Sequence, residues 1–296
     1  MKRIALALAL ALLALPMVAG RPSAQQVTVT DVTRAAASYL TEYSQRLQAV
    51  GAEEDFLQLE VSGGRMRLNR RLTSDVAFVG VGLGRVIMFR DVLLKDNNPI
   101  REREPRLLKL LEGPQELDPL LKAQQFFDDS VRHYISQNIG LFDEMLAPLS
   151  LLRTENGPKV TFRLENIKTT NGVRVASLRF TETTAPHVIN SPIDEPATGR
   201  ILVEVGTGIV RQTELVMSNK HVNLRVTVAY APEPTLALWL PSKMTFQSDI
   251  SSLGAGNKSP GTVQSYDVRE SLEGLATYSK FKQVPVKFNV RRPSAP

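Results

Sequence analysis

Apolar and polar residues alternate along most of this chain, and that two-residue period predicts β-strands. The clearest example runs from Val222 to Tyr230, where apolar side chains occupy every second position. Gly63-Gly64 and Gly206-Thr207-Gly208 are typical of the short turns that join antiparallel strands. Because such links connect most of the predicted strands, over residues 55–103 and 159–288, we expect one antiparallel sheet.

Two other parts of the chain carry apolar residues at the spacing of an amphipathic helix. The first predicts a helix over residues 31–50, with Thr30 or Asp31 as a good N-cap and Gly51 just past its end. The second predicts several helices over residues 105–152. These middle helices either cover the core of the sheet or form a lid over an apolar cavity. The pattern leaves both open, because it indicates which side chains are buried and not what they are buried against.

Together these elements predict an α+β fold. We expect a large curled antiparallel sheet, in effect a half-open β-barrel of about 10–11 strands, because sheets of that width tend to curl. The N-terminal helix and the middle helices would cover its apolar side. One β-rich domain is predicted over residues 25–290, followed by a disordered tail over 291–296.

The first 24 residues have the features of a secretory signal peptide. Lys2 and Arg3 precede the apolar run from Ile4 to Leu15, and small residues follow Pro16. The run is about a dozen residues long, whereas a spanning helix needs roughly 20, so a retained anchor is the weaker interpretation. We predict a leader over 1–24 and a periplasmic or secreted mature protein without a transmembrane helix.

Composition narrows the class of protein further. There is no cysteine, so the chain has neither a disulfide nor a thiolate zinc site, and it cannot carry a lipidated N-terminal cysteine. The net charge of +6 includes the three cations Lys2, Arg3 and Arg21 near the N-terminus, which leaves a mildly basic mature chain. Nucleic-acid binders usually show a stronger basic stripe with interleaved aromatic residues, so no nucleic-acid partner is predicted.

The motifs that resemble catalytic or cofactor sites have simpler structural explanations. Gly80 to Gly84 precedes an apparent strand rather than a helix, which favours a turn or bulge over a nucleotide loop. Asp129 and His133 are four residues apart on a predicted helix, but no second histidine completes a zinc site. Paired acids such as those in residues 53–55 are typical of solvated turns. We therefore predict no catalytic residue, no metal site, no cofactor and no enzymatic activity.

The densest basic cluster contains Arg65, Arg67 and Arg71, which share one face of a predicted strand. This basic surface suits contact with lipid head groups or another polyanion. A charged edge strand that resists aggregation is the alternative explanation.

Four segments resemble a group of uncharacterised secreted bacterial proteins: Val86 to Leu108, Ala197 to Leu215, Val226 to Met244 and Leu272 to Phe281. The order of elements also resembles the LolA/LolB-type periplasmic lipoprotein-carrier fold. In both, an N-terminal helix, a first set of strands, middle helices and a second set of strands follow one another. The resemblance implies an apolar concave face closed by helices, which binds acyl chains or lipidated partners without chemistry.

Two functional hypotheses follow. The first is an exported protein that binds a hydrophobic ligand, namely a lipid, an acyl chain or a lipidated partner, on the concave face of the sheet. Its predicted lining or gating residues are Phe126, Phe127, Phe142, Met145 and Trp239. The second is a protein-interaction module in cell-envelope assembly, which would bind an envelope protein through the basic surface and the loop around Trp239.

Overall fold

The computed structural model describes residues 26–47, 50–62, 65–80, 86–100, 106–107, 125–126, 128–135, 145–189, 195–254 and 266–284. The predicted leader, the predicted tail, Phe127 and Phe142 lie outside these ranges. None of the described helices has the length and apolar character needed to cross a membrane.

Within these ranges the chain forms a long N-terminal helix, eleven strands, a short helix and a 3₁₀ helix. The helices are α1 (Val29–Arg46), α2 (Ala147–Ser150) and the 3₁₀ turn Thr154–Lys159. The strands are β1 (Val50–Ser62), β2 (Arg65–Gly80), β3 (Val86–Lys95), β4 (Asn98–Pro99), β5 (Val160–Thr170), β6 (Val173–Glu182), β7 (Thr198–Glu204), β8 (Val210–Ser218), β9 (Val222–Glu233), β10 (Leu238–Gly254) and β11 (Tyr266–Gln283).

All the described strands belong to one antiparallel sheet, in the order β4-β3-β2-β1-β11-β10-β9-β8-β7-β6-β5. The predicted α+β fold with a large curled sheet is confirmed. Helix α1 contacts both β2 and β5, which stand eight places apart in this order. In a flat sheet those strands would lie roughly 38 Å apart, whereas an 18-residue helix is only about 27 Å long. The sheet must therefore curl around α1, and its two edge strands do not pair with each other.

Helix α1 begins at a capping box, in which Thr28 and Asp31 satisfy each other's exposed backbone groups. Its buried stripe consists of Val32, Ala36, Leu40 and Tyr43, at helical spacing. The turn between β7 and β8 approaches the helix so closely that a Cβ atom on Gly208 would lie 2.1 Å from the carbonyl oxygen of Ala35. Helix α1 thus covers one end of the concave face.

Two element boundaries differ from the sequence-based prediction. Helix α1 ends at Arg46, and Val50 already pairs with Phe78 in the sheet, although the helix was predicted to reach residue 50. Leu47 and Val50 are fully buried, so their apolar character fits either a helix or the start of β1. Trp239, which was predicted to lie in a loop, belongs to β10, because β9 continues to Glu233 and β10 starts at Leu238.

The concave face is a continuous apolar core that crosses the whole sheet. One row of cross-strand neighbours runs from Phe56 on β1 to Leu178 on β6, and nearly all its members are buried. The members of this row are Phe56, Ala276, Met244, Val228, Thr213, Ile201 and Leu178. In the adjacent row, the Phe246 ring lies over Gly274 and edge-on to Phe56, 6.0 Å between ring centroids.

The Phe246–Gly274 contact makes a testable prediction for stability. Gly274→Ala is expected to lower the free energy of unfolding by about 1–3 kcal/mol, because overpacking displaces a neighbouring side chain. The new Cβ would lie 1.8 Å from Cε1 of Phe246. In urea denaturation, adding Phe246→Leu should recover part of the loss by vacating that space. A double variant that is less stable than Gly274→Ala alone would contradict the proposed steric cause.

Candidate ligand-binding face

A middle segment of the chain lies on the concave face, and we call its residues 128–135 the strap. The Oγ atom of Ser130 lies 2.9 Å from the carbonyl oxygen of Arg90 on β3. Five residues later, the backbone N–H of Ile135 donates to Oε1 of Gln58 on β1, at 2.8 Å. The strap therefore crosses from β3 to β1 over the inner face of the sheet.

The centre of the strap is held by a buried ion pair. Arg90 donates to both carboxylate oxygens of Glu54, at 2.6 Å from Nε and 2.8 Å from Nη2. The side chains of these residues are 1% and 0% exposed. The Arg90 guanidinium also donates to the hydroxyl of Tyr134 in the strap. Bidentate geometry and a third partner supply the contacts that a buried charge pair requires.

Aromatic rings surround this ion pair. The guanidinium carbon of Arg90 lies 5.7 Å from the ring centroids of both Phe56 and Tyr134. The Phe56 and Tyr134 rings meet edge-to-face at 5.9 Å. Arg70 adds a further link, because its Nη1 donates to the strap carbonyl oxygens of residues 133 and 134, each at 3.2 Å. Polar contacts from β1, β2 and β3 thus hold the strap, in addition to the apolar packing of Val131, Tyr134 and Ile135 against the core.

A second described piece of the middle segment lies farther across the same face. Met145 is buried, and its sulfur accepts a hydrogen bond from the Tyr278 hydroxyl on β11, at 3.1 Å. Helix α2 follows and contacts β8. Described residues of the middle segment therefore lie over both β1 and β11.

Three buried side chains of the inner face have polar atoms with no hydrogen-bond partner among the described residues. They are Nε2 of Gln58, Oγ of Ser74 and Oγ of Ser248. All three residues are 0% exposed. An unpaired buried donor or acceptor costs about 1–3 kcal/mol, so such groups in folded proteins are usually hydrogen-bonded.

The structure separates the predicted lining residues. Met145 lies over β11, as described above. Phe126 lies near the β3 edge, where the Arg106 guanidinium carbon is 5.0 Å from its ring centroid. Trp239 lies under Arg211, whose guanidinium carbon is 3.7 Å from the ring centroid. Met145 belongs to the buried core and Trp239 packs against the same core, whereas Phe126 does not. Whether any of them contacts a ligand stays a prediction.

Arg106 also connects the strap to the opposite face of β3. Its guanidinium lies 3.5 Å from carboxylate oxygens of both Asp91 and Asp129. Asp91 is nearly buried. Burial raises the pKa of Asp91 to about 6, while the Arg106 charge opposes that rise.

The predicted basic surface is divided by a register shift. Arg71 is paired with Asp55 on the outer face of the β1–β2 ladder. We call residues 65–68 of β2 the hairpin tip. Between Arg71 and this tip, the register of β1 against β2 shifts at Glu60 and Val61, which interrupts the alternation of side chains between the two faces of the sheet. Beyond the shift, Arg65 and Arg67 are exposed.

This tip also exposes large apolar side chains. Met66 is 62% exposed and Leu68 is 42% exposed. Residues 65–70 pair with β1, whereas the pairing of β2 with β3 begins only at Leu72. The tip therefore combines free strand edge, two arginines and two exposed apolar residues.

The residues that hold the strap were not predicted from the sequence. The acids of residues 53–55 were interpreted as solvated, yet Glu54 is completely buried, which corrects that prediction. A signal was present, because Glu54 shares the inward-facing positions of β1 with Phe56 and Gln58. Arg90 likewise follows the apolar run Val86 to Phe89 of β3 and takes an inward position opposite Val76. A charge at an inward position in each of two nearby strands indicates a buried pair.

No three His, Asp or Glu side chains lie close enough together to hold a metal ion in the part of the chain that the structure describes. His133 is half-buried in the strap, and burial lowers its pKa.

No protein-family model matches the chain, and no curated protein does so. Similar solved structures include a DUF1329 family protein from Desulfovibrio piger, with 12% identity, coverage of 88% of this chain and 95% of that chain, and a TM-score of 0.37. A LolA superfamily protein from Nitrosomonas europaea has 10% identity, coverage of 83% and 93%, and a TM-score of 0.32.

The buried ion pair predicts a large stability effect. Arg90→Met is expected to lower the free energy of unfolding by about 3–5 kcal/mol, because Glu54 would remain buried without a counter-charge. Hydrogen exchange at the amide of Ile135 should accelerate as the strap loosens. Adding Glu54→Leu should restore much of the stability, since no buried charge would remain.

A matched control is Arg71→Met, which removes an arginine from the exposed pair with Asp55. That change should lower the free energy of unfolding by at most about 1 kcal/mol, because the pair is exposed to solvent. Equal losses in urea denaturation for the two arginine variants would contradict the assigned role of Arg90.

Proposed function

We propose that the protein is an exported, non-enzymatic carrier that binds an acyl chain, as a lipid or on a lipidated partner, against the concave face of its sheet. The observation that carries the proposal is the combination of an unclosed, apolar, inward-curved sheet with a strap that polar contacts hold in place. Apolar burial would supply affinity, at about 25 cal/mol per Å² removed from water.

The polar hold on the strap supports exchange of a ligand. If apolar burial alone held a segment in place, lifting the segment would cost free energy in proportion to the apolar surface that becomes exposed to water. A buried ion pair contributes little net stability relative to apolar residues, because desolvation offsets its attraction. Lifting the strap would rehydrate Glu54 and Arg90 and regain part of that desolvation cost.

The unpaired polar atoms beneath suit the polar end of an acyl ligand. Gln58 lies at the end of the strap, where its Oε1 is occupied by Ile135 and its Nε2 has no partner among the described residues. Ser248 lies two residues from Phe246 on β10. A carboxyl or ester oxygen would satisfy such donors, while its chain lies along the apolar rows.

The exposed tip of the β1–β2 hairpin suits contact with an anionic membrane. Met66 and Leu68 provide apolar surface, and Arg65 and Arg67 provide positive charge next to it. A carrier needs such a surface to take up or release lipid. The leader predicted over residues 1–24 supports a periplasmic or secreted location.

Photo-cross-linking tests acyl binding directly. A fatty acid that carries a diazirine near its methyl end should label peptides with inward residues such as Leu224, Phe246 and Leu272. Unlabelled oleate should suppress the labelling in a saturable way. Adducts confined to outward positions such as Arg225, or labelling that oleate does not reduce, would contradict a site on the concave face.

Vesicle co-sedimentation tests the hairpin tip. The double variant Met66→Ser/Leu68→Ser should bind vesicles containing phosphatidylglycerol more weakly than the unaltered protein. Arg65→Gln and Arg67→Gln should each weaken the free energy of vesicle binding by about 1 kcal/mol at low salt. The matched control is Leu275→Ser, which removes an apolar residue that is 36% exposed away from the tip. If the control weakens binding as much as the tip variants do, the tip is not the membrane contact.

A further inference from the structure

A second cleft, of about 630 Å³, lies on the opposite face of the sheet, and we call it the outer cleft. Val175 and Ser177 line it, whereas the alternating residues Ala176 and Leu178 are fully buried in the core. Since side chains alternate between the two faces of a strand, the outer cleft is separate from the concave face. Its lining residues come from β5 to β8: Glu165, Asn166, Lys168, Thr170, Asn171, Val173, Val175, Ser177, Arg200, Leu202 and Arg211.

Two β-bulges shape the outer cleft. The register of β5 against β6 shifts between Leu164 and Asn166, and that of β7 against β8 shifts between Leu202 and Val203. A bulge bends its strand and increases the local twist, which makes a concavity on an otherwise convex surface. Residues at both bulges line the cleft, so its shape is built into the strands rather than into a loop.

The charged groups around the outer cleft are fixed in place. Glu165 accepts hydrogen bonds from Nε of Arg179 at 2.6 Å, Nε of Arg200 at 2.8 Å and Oγ of Ser177 at 3.1 Å. The bonds from Arg200 and Arg179 lower the pKa of Glu165 to about 2. This carboxylate is therefore ionised at neutral pH, and its charge is committed to the two arginines.

Positive charge remains in excess once all ion pairs are counted. The paired carboxylates are Glu165, Glu204 and Glu214, and their partners are Arg179, Arg200, Arg211 and Arg225. Lys168 adds a further cation that has no acidic partner within the described ranges. Arg211 is also stacked on Trp239, which restricts its motion. Five cations against three carboxylates favour an anionic ligand.

The remaining lining residues indicate a ligand that carries hydroxyl groups rather than an apolar ligand. Asn166, Thr170 and Asn171 offer both donors and acceptors, and only Val173, Val175 and Leu202 are apolar. The lining has no aromatic residue on which a base would stack, which disfavours nucleic acid. The volume falls in the range of small-molecule sites.

From these observations we infer that the outer cleft binds an anionic saccharide, in which a sugar ring carries a carboxylate or a phosphate. Lys168 and Arg200 hold the acidic group by charge-assisted hydrogen bonds. The amide and hydroxyl side chains of β5 and its turn bind the sugar hydroxyls, and the apolar floor contacts the ring face. This site does not depend on acyl binding at the concave face.

NMR titration of the purified protein tests the inference with four probes: glucuronate, glucose 1-phosphate, glucose and inorganic phosphate. Glucuronate or glucose 1-phosphate should give saturable shifts at cleft residues, with weaker effects of glucose and of inorganic phosphate. Lys168→Glu should weaken binding about tenfold, as expected for one lost charge-assisted hydrogen bond. Val175→Trp should abolish binding of the acidic sugars, because the larger side chain fills the cleft.

Lys243→Glu is the matched control, because it makes the same charge change at an exposed position on β10 and should leave binding unchanged. The inference is overturned if neither acidic sugar gives saturable shifts, if inorganic phosphate binds as tightly as glucose 1-phosphate, or if the control weakens binding equally. Labelling by the photoreactive fatty acid should be the same in Lys168→Glu, which separates this site from the concave one.

Discussion

The width of one sheet is the constraint on which the rest of this structure depends. Eleven strands pair in a single antiparallel ladder, and its two edges do not meet. A sheet of this size that twists in the normal sense must curl, and the curled sheet needs something inside it. Helix α1 covers one end, and the described pieces of the middle segment cover positions over β1 to β3, β11 and β8. Every candidate site is a consequence of that geometry.

The inner face uses charge where a purely structural core would use apolar side chains. Glu54 and Arg90 lie among Phe56 and Tyr134, fully removed from water. Apolar residues of the same volume would often stabilise the fold equally well or better. The pair instead fixes the orientation of Tyr134 and hence the position of the strap, since a bidentate arginine accepts its partners in one geometry.

The sheet could be predicted from the sequence, because strands with one buried face show a two-residue period over most of their length. The period in residues 222–230 corresponds to β9, and the turn at Gly206 to Gly208 joins β7 to β8. The end of α1 could not be predicted, because Leu47 and Val50 are buried in either conformation. The ion pair was missed for a different reason. Its two charges are 36 residues apart, and only the pairing of β1 with β2 and of β2 with β3 brings them together.

The alternation that made the strands recognisable also gives β5 to β8 two independent chemistries. Ala176 and Leu178 belong to the core, and the residues between and beside them line a cleft rich in cations. A substitution on one face changes the opposite face only through the backbone, so the side chains of the two faces can be altered separately on the same strands. Glycolipids combine an acyl chain with a sugar, but the two faces are divided by the full thickness of the sheet. The two sites that we propose would therefore take separate ligands.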